Sequence, residues 1–301
     1  MKKKVQKKSA EKNVLQEKKT DYNAGTLYIC PTPIGNLEDI TLRCLRILKE
    51  VDFIAAEDTR VTKKLLNFYN IQTPLISYHK FSEKKKSLLV IEKLRENYNV
   101  ALVSDSGTPL ISDPGKEVIS QAIHNNIPIT PLPGPSSLTC ALSASNIITD
   151  GFLFYGFLPK TYKQKKECLN QLSQINYPII IFESPKRVLN TLECLKEVYD
   201  NCNIIIAREL SKIHEEILYF SLDNAINHFT KIEPRGEFTI IIEHLISPTQ
   251  NHLSIADMKK LIANSLATGN SISSIAKELS QELNISKNEL YKLILDIQEE
   301  I

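Results

Sequence analysis

Carboxylates, hydroxyls and glycine crowd together at Ser104–Asp105–Ser106–Gly107–Thr108–Pro109, directly after the apolar run Val100–Val103. A second turn, Asp113–Pro114–Gly115, follows, and a helix-like segment starts at Lys116. Small, polar and turn-forming residues after a strand expose backbone amides and carboxylates at the carboxyl edge of a sheet. In open α/β folds the carboxyl edge of the sheet is where ligands bind. Two of the nine glycines fall in this one stretch, so it reads as a site. Glu57–Asp58–Thr59–Arg60 brings two acids and a base to the end of another apolar run, Phe53–Ala56. The same four residues also read as a helix N-cap with a local ion pair.

Two further turns have the same character. Pro31–Thr32–Pro33–Ile34–Gly35–Asn36 follows the run Leu27–Cys30 and opens a helix, so its backbone can wrap a polar or anionic ligand. Pro131–Leu132–Pro133–Gly134–Pro135–Ser136–Ser137 is the third Pro/Gly turn of this kind. None is Gly-x-Gly-x-x-Gly or a P-loop, so nicotinamide and nucleotide triphosphates lack their usual fingerprint.

The elements that must position these turns alternate along the chain. Strands are expected at Leu27–Cys30, Phe53–Ala56, Leu75–Tyr78, Val100–Val103 and Ile127–Leu132. Helical spacing lies between most of them, near 61–69, 84–97, 116–125 and 136–145. This alternation predicts an α/β fold with a largely parallel sheet. Thr149–Asp150–Gly151 reads as a boundary, giving a tail over 1–24, an N-terminal α/β domain over 25–150 and a second α/β domain over 151–246. In the second domain strands are expected at 152–157, 179–182, 204–207 and 238–243, with helices at 163–175 and from Pro185. Residues 247–301 are expected to form a small helical appendage. Its segments 271–285 and 286–297 fit either a helix-turn-helix-like pair or a plain helical cap.

Net charge is only +2, yet the first 24 residues hold eight Lys against three acids, which leaves the rest of the chain slightly acidic. Such a body can touch a polyanion only through local patches. Lys160, Lys163, Lys165 and Lys166 form the densest one; the tail reads as a solvating segment or an auxiliary RNA contact. Six cysteines with no Cys-x-x-Cys, and no His at ligand spacing, predict reduced thiols, no metal and a cytoplasmic location. No apolar run approaches a membrane span.

Together, Thr32–Leu37, Ala56–Arg60, Ser104–Gly115 and Pro131–Ser136 resemble the motif set of the bacterial small-subunit ribosomal RNA 2′-O-ribose (cytidine) methyltransferase I family, within the tetrapyrrole methylase superfamily. Glu183–Ser184–Pro185–Lys186–Arg187, Ala207–Leu210 and Gly236–Phe238 resemble its second-domain motifs. The resemblance implies a two-domain tetrapyrrole-methylase-like fold with S-adenosylmethionine in a cleft between the domains. The substrate it implies is a cytidine in the decoding region of 16S rRNA, in the small ribosomal subunit, and the enzyme it implies is commonly a homodimer. By the same similarity the cofactor touches Pro33, Gly35, Ser106, Gly107, Thr108, Ile111, Ser136 and Ser137. Ser106 stands where Ala is common in the family, Lys186 where His is common, and Tyr219–Phe220–Ser221 where Arg-Gly-Thr is frequent.

Transfer of a sulfonium methyl to a ribose hydroxyl needs alignment first and a proton acceptor second. The carboxylates available are Glu57, Asp58 and Asp105. Arg60, Lys186, Arg187 and Arg208 are the cations that can hold phosphate or polarise the hydroxyl, although ion pairing between domains equally explains Arg208. Tyr78, Tyr155 and Phe157 read either as core-packing residues, the role favoured for each, or as aromatic partners for a flipped base. The rival readings are a methyltransferase of the same fold acting on a tetrapyrrole-like small molecule or a protein side chain, and a non-catalytic RNA-binding protein.

Overall fold

The computed structural model describes residues 24–79, 83–147, 151–199, 202–243 and 272–283, together with 262, 265, 290, 291, 294 and 295. The chain divides into two compact units, one ending at Ser137 and the other beginning at Leu138. The boundary expected at 150/151 adjoins residues 148–150, which lie outside the described residues, as do 1–23 of the tail.

The first unit is built on β1 (Leu27–Ile29), β2 (Phe53–Ala56), β3 (Leu75–Ser77), β4 (Val100–Val103) and β5 (Ile129–Pro131). They form a parallel sheet in the order β3-β2-β4-β1-β5. β4 reads Val-Ala-Leu-Val and is buried at every position, as a central strand covered on both faces must be. The covering helices are α1 (Leu42–Glu50), α2 (Thr59–Phe68), α3 (Glu83–Arg95) and α4 (Lys116–His124).

The two faces are filled by different helices. Cys44, Ile47 and Leu48 of α1 and Leu65 and Leu66 of α2 pack with Cys30, Ile54, Ala56, Ala101 and Val103. On the other side, Val90, Ile91 and Leu94 of α3 and Val118 and Ala122 of α4 pack with Leu27, Ile29, Ala55 and Leu102. The neighbouring strands β1 and β4 therefore send their following helices to opposite faces. That reversal is a topological switch point, and it opens a crevice at the carboxyl ends of β1 and β4.

α5 (Ser137–Ser143) begins at the boundary with the last residue of the first unit, and the second unit contains the rest of it with β6 (Leu153–Phe157), α6 (Tyr162–Leu172), β7 (Ile179–Glu183), α7 (Val188–Val198), β8 (Asn203–Arg208), β9 (Glu216–Ser221), α8 (Leu222–Lys231) and β10 (Phe238–Glu243). Its sheet runs β6-β7-β10-β8-β9, parallel only between β6 and β7. Leu169, Leu192, Leu195, Leu222 and Phe229 of α6, α7 and α8 pack on one face with Ile179, Ile181, Ile204, Ile206, Ile240 and Ile242.

β9 and α8 are absent from the sequence-based expectations. No Pro or Gly separates them: Ser221 ends the strand and also caps the helix, accepting from Asn224 N at 3.4 Å. The helix expected from Pro185 begins three residues later, at Val188. Of the expected C-terminal pair, α9 (Ile272–Leu283) is described; the turn at 284–286 lies outside the described residues.

Lys165 corrects the expected basic patch. It is buried inside α6, not on a solvated face, and its Nζ donates to Asn190 Oδ1 and Thr191 Oγ1, each at 2.8 Å. Thr191 Oγ1 donates to Glu183 Oε2 at 2.7 Å, and Glu183 Oε1 lies 3.1 Å from Arg187 Nε. Burial holds the Lys165 ammonium below its usual range, with the Glu183 charge opposing that shift. Because Glu183 is fully enclosed, its removal strands two cations. Glu183→Ala is expected to cost about 3–5 kcal/mol in urea unfolding, far more than an exposed ion pair.

Candidate active site

Three of the sequence-predicted turns meet at the switch point. Thr32 N donates to Gly107 O at 2.9 Å, and Gly107 N returns a bond to Thr32 O at 3.0 Å. Thr32 Oγ1 donates to Ser104 O at 3.0 Å. The turn after β1 is thus stitched to the turn after β4. The turn after β5 joins through Thr108 Oγ1, which donates to Pro135 O at 3.0 Å.

Two glycines make this closeness possible. Gly107 has φ +80°, and a Cβ there would sit 3.3 Å from Ile34 Cγ2. A Cβ on Gly134 would come within 2.5 Å of Pro31 Cβ. The β4 loop also holds Leu110 at φ 75° and Ser112 at φ 72°, conformations that each cost of order 1–3 kcal/mol for a residue with a side chain. Among the residues assigned to the cofactor by resemblance, Pro33, Ser106, Thr108, Ser136 and Ser137 are half-buried and Gly107 is buried. Gly35 and Ile111 are exposed on the same rim.

The acids divide into two groups. Asp58 caps α2, accepting from Arg60 N at 2.8 Å, and its carboxylate takes Arg60 Nη2 at 2.6 Å. Hydrogen bonds from Arg60 hold the Asp58 carboxyl down to about 2. This pair builds the helix start, as the local reading expects. Glu57, Asp105 and Asp113 are the second group. Asp105 Oδ1 accepts from Asp58 N at 2.9 Å, which ties the β4 turn to the β2 turn. Burial raises Glu57, and the Asp105 charge raises it further. Asp105 is raised chiefly by burial. Asp113 is pushed up to about 7 by burial first and then by the Glu57 charge.

Asp113 is the residue that sequence reasoning misses. Asp-Pro-Gly looks like turn punctuation, yet the turn carries the acid back beside Glu57, Asp105 and the Ser104 hydroxyl. Tyr78 takes the core-packing role expected of it over stacking: it is buried, with its hydroxyl bonded to Ser87, Glu83 and Val118 N.

The candidate cations of the second unit separate by partner. Arg187 Nη2 donates to Leu158 O at 2.7 Å and Pro159 O at 3.1 Å, and its Nε faces Glu183, so it serves as a clamp. Arg208 donates to Arg235 O at 2.7 Å and pairs with Glu216 at 2.5 Å, within its own unit. Lys186 is exposed and has no ion pair among the described residues.

A family model described as Tetrapyrrole (Corrin/Porphyrin) Methylases matches residues 26–226. The ribosomal RNA small subunit methyltransferase I of Halalkalibacterium halodurans is 38% identical over 89% of this chain and 94% of its own. The namesake from Thermotoga maritima is 44% identical over 72% of this chain and 98% of its own. The chain belongs to the ribosomal RNA small subunit methyltransferase I family of the tetrapyrrole methylases. Among solved structures, uroporphyrin-III C-methyl transferase from Thermus thermophilus complexed with S-adenyl homocysteine aligns with TM-score 0.52. It is 18% identical and covers 72% of this chain and 97% of that one, a likeness of fold.

At this edge the backbone is exposed at Gly35, Pro33 is half-buried, Ile111 is exposed, and the acids Glu57, Asp105 and Asp113 stand together. The acids also predict a stability effect. A carboxyl that holds its proton better folded than unfolded favours folding at low pH, and that advantage is lost as the pH rises from about 4 towards about 7. Asp113→Asn should therefore gain stability relative to the parent between pH 4 and pH 8, read from urea midpoints at both. An unchanged difference would contradict the placement.

Proposed function

We propose that this chain transfers the methyl group of S-adenosylmethionine to the 2′-hydroxyl of a cytidine in small-subunit (16S) ribosomal RNA. Membership of the family supports the reaction, and the observation that carries it to this chain is the stitching of three loops at the switch point through Thr32 and Gly107. A cytoplasmic setting, the assembled small subunit as substrate and a homodimeric enzyme belong to the same proposal.

S-adenosylmethionine supplies an electrophilic methyl on a positively charged sulfur. Pro33, Gly35, Gly107 and Ile111 are the proposed cradle for its nucleoside, with Ser106, Thr108, Ser136 and Ser137 on the same rim. The negative field of Glu57 and Asp105 favours the positive charge. Asp113 is the proposed proton acceptor for the attacking hydroxyl. The oxygen–carbon bond forms as the carbon–sulfur bond breaks, the sulfur keeps the electron pair, and the proton passes to the Asp113 carboxylate. Arg60 stands exposed beside this edge, where it can meet RNA phosphate.

Asp113→Asn is expected to lower kcat/KM about 10²–10⁴-fold, the usual worth of a general base, while cofactor affinity changes little. Only the ionised carboxyl accepts a proton, so the parent rate should rise with pH and level off above about 7. The reading as a whole is tested by incubating the protein and labelled S-adenosylmethionine with small subunits, then digesting the RNA to nucleosides. Label in 2′-O-methylcytidine supports it. Label only in a small tetrapyrrole, or none in RNA, overturns it.

A further inference from the structure

One surface of the second unit has aromatic rings and unpaired cations together at the end of two parallel strands. β6 is an edge strand, and beside β7 its register slips between Phe154 and Gly156, where Gly156 takes φ 80°. The bulge re-aims the end of the strand, as bulges at sheet edges do. Phe157 pairs in register with Phe182, and their rings meet edge to face at 5.7 Å. Phe154 also meets the Phe182 ring edge to face, at 4.9 Å. Despite these contacts Phe157 keeps 51% of its surface exposed. It is a ring fixed by its neighbours and open to solvent.

Lys160 leaves the sheet three residues beyond Phe157, and Lys186 three residues beyond Glu183 at the end of β7. Both are exposed, and neither has an ion pair among the described residues. Two acids of the flanking elements have other partners: Glu197 is engaged by Lys166 and Tyr162, each at 2.5 Å, and Glu183 by Thr191 and Arg187. Arg187 ties the end of β6 to the end of β7, donating to Leu158 O and Pro159 O while its Nε faces Glu183. Exposed ring plus free cations on a rigid edge is the composition of a single-strand nucleic-acid platform, where stacking and phosphate contacts combine.

We propose that the carboxyl end of β6 and β7 docks single-stranded RNA, with a base stacked on Phe157 and phosphates held by Lys160 and Lys186. The inference rests on the proposed methylation of ribosomal RNA and assigns that reaction a substrate-holding surface. Lys186, placed above among residues that hold phosphate or polarise a hydroxyl, here has only the phosphate role.

The test uses the full chain and a short fluorescent oligocytidine RNA. Phe157→Ala should weaken binding about 5- to 150-fold, and Phe157→Tyr should restore most of it, because base–aromatic stacking is worth ~1–3 kcal/mol per base. Lys160→Ala with Lys186→Ala should reduce the slope of log affinity against log salt by about 1.4, at ~0.7 per phosphate on a single strand. With small subunits as substrate, Phe157→Ala should raise KM and leave kcat and S-adenosylmethionine affinity near the parent. Unchanged RNA affinity in folded Phe157→Ala overturns the proposal. So does loss of a parental dimer in sedimentation of that variant with RNA affinity retained, which would make the surface a contact between two copies. If the parent binds the oligonucleotide through Phe157 but methylates no RNA, the functional reading fails and the docking surface stands.

Discussion

The paired backbone hydrogen bonds between Thr32 and Gly107 are the constraint on which the site depends. They join two loops far apart in sequence whose parent strands, β1 and β4, lie side by side and launch helices to opposite faces. Without that bridge only the Thr32 hydroxyl, bonded to Ser104 O, would tie the turn after β1 to the turn after β4. With it, Thr108 can reach Pro135 and the third turn is fixed as well. Gly107 and Gly134 carry no side chain that would push Ile34 and Pro31 away, so the turns can lie this close together.

The loop held this way is strained, and the strain has a local consequence. Leu110 and Ser112 sit at positive φ so that the chain can turn back and bring Asp113 beside Glu57 and Asp105. The apolar packing of β4 and α4 in the layer beneath offsets that cost. Burial raises the affinity of all three acids for protons; the Asp105 charge adds to this at Glu57, and the Glu57 and Asp105 charges add to it at Asp113, which is left at about 7. A strained loop with a perturbed carboxyl is what an acceptor for a weakly acidic hydroxyl requires.

Much of this was legible in the sequence, because the Pro/Gly turns after apolar runs mark strand ends and the motif set is specific. The five strands of the first unit and their helices follow from the alternation of period 2 and period 3.6. What escaped had physical reasons. β9 runs into α8 without a breaker, so no turn residue announces either. Lys165 lies in a run of lysines, and only the packing of α6 on α7 shows that it faces Thr191 and not water. Arg187 and Arg208 read as catalytic cations by residue type; their partners, a pair of carbonyls and Glu216, come from segments that the sequence alone does not bring near. Asp113 was hidden in a turn motif whose chemistry depends on the positive φ angles before it.

The most direct measurement of the central claim is calorimetric titration of S-adenosylmethionine into the parent chain and into Gly107→Ala. The added methyl meets Ile34 at 3.3 Å on a backbone with φ +80°, so it disturbs the bridge while leaving the core of both units alone. The account predicts saturable binding to the parent, and at least about tenfold weaker binding to a variant that still unfolds cooperatively, as ~1.4 kcal/mol of strain would give. Equal affinity in the two proteins would contradict it.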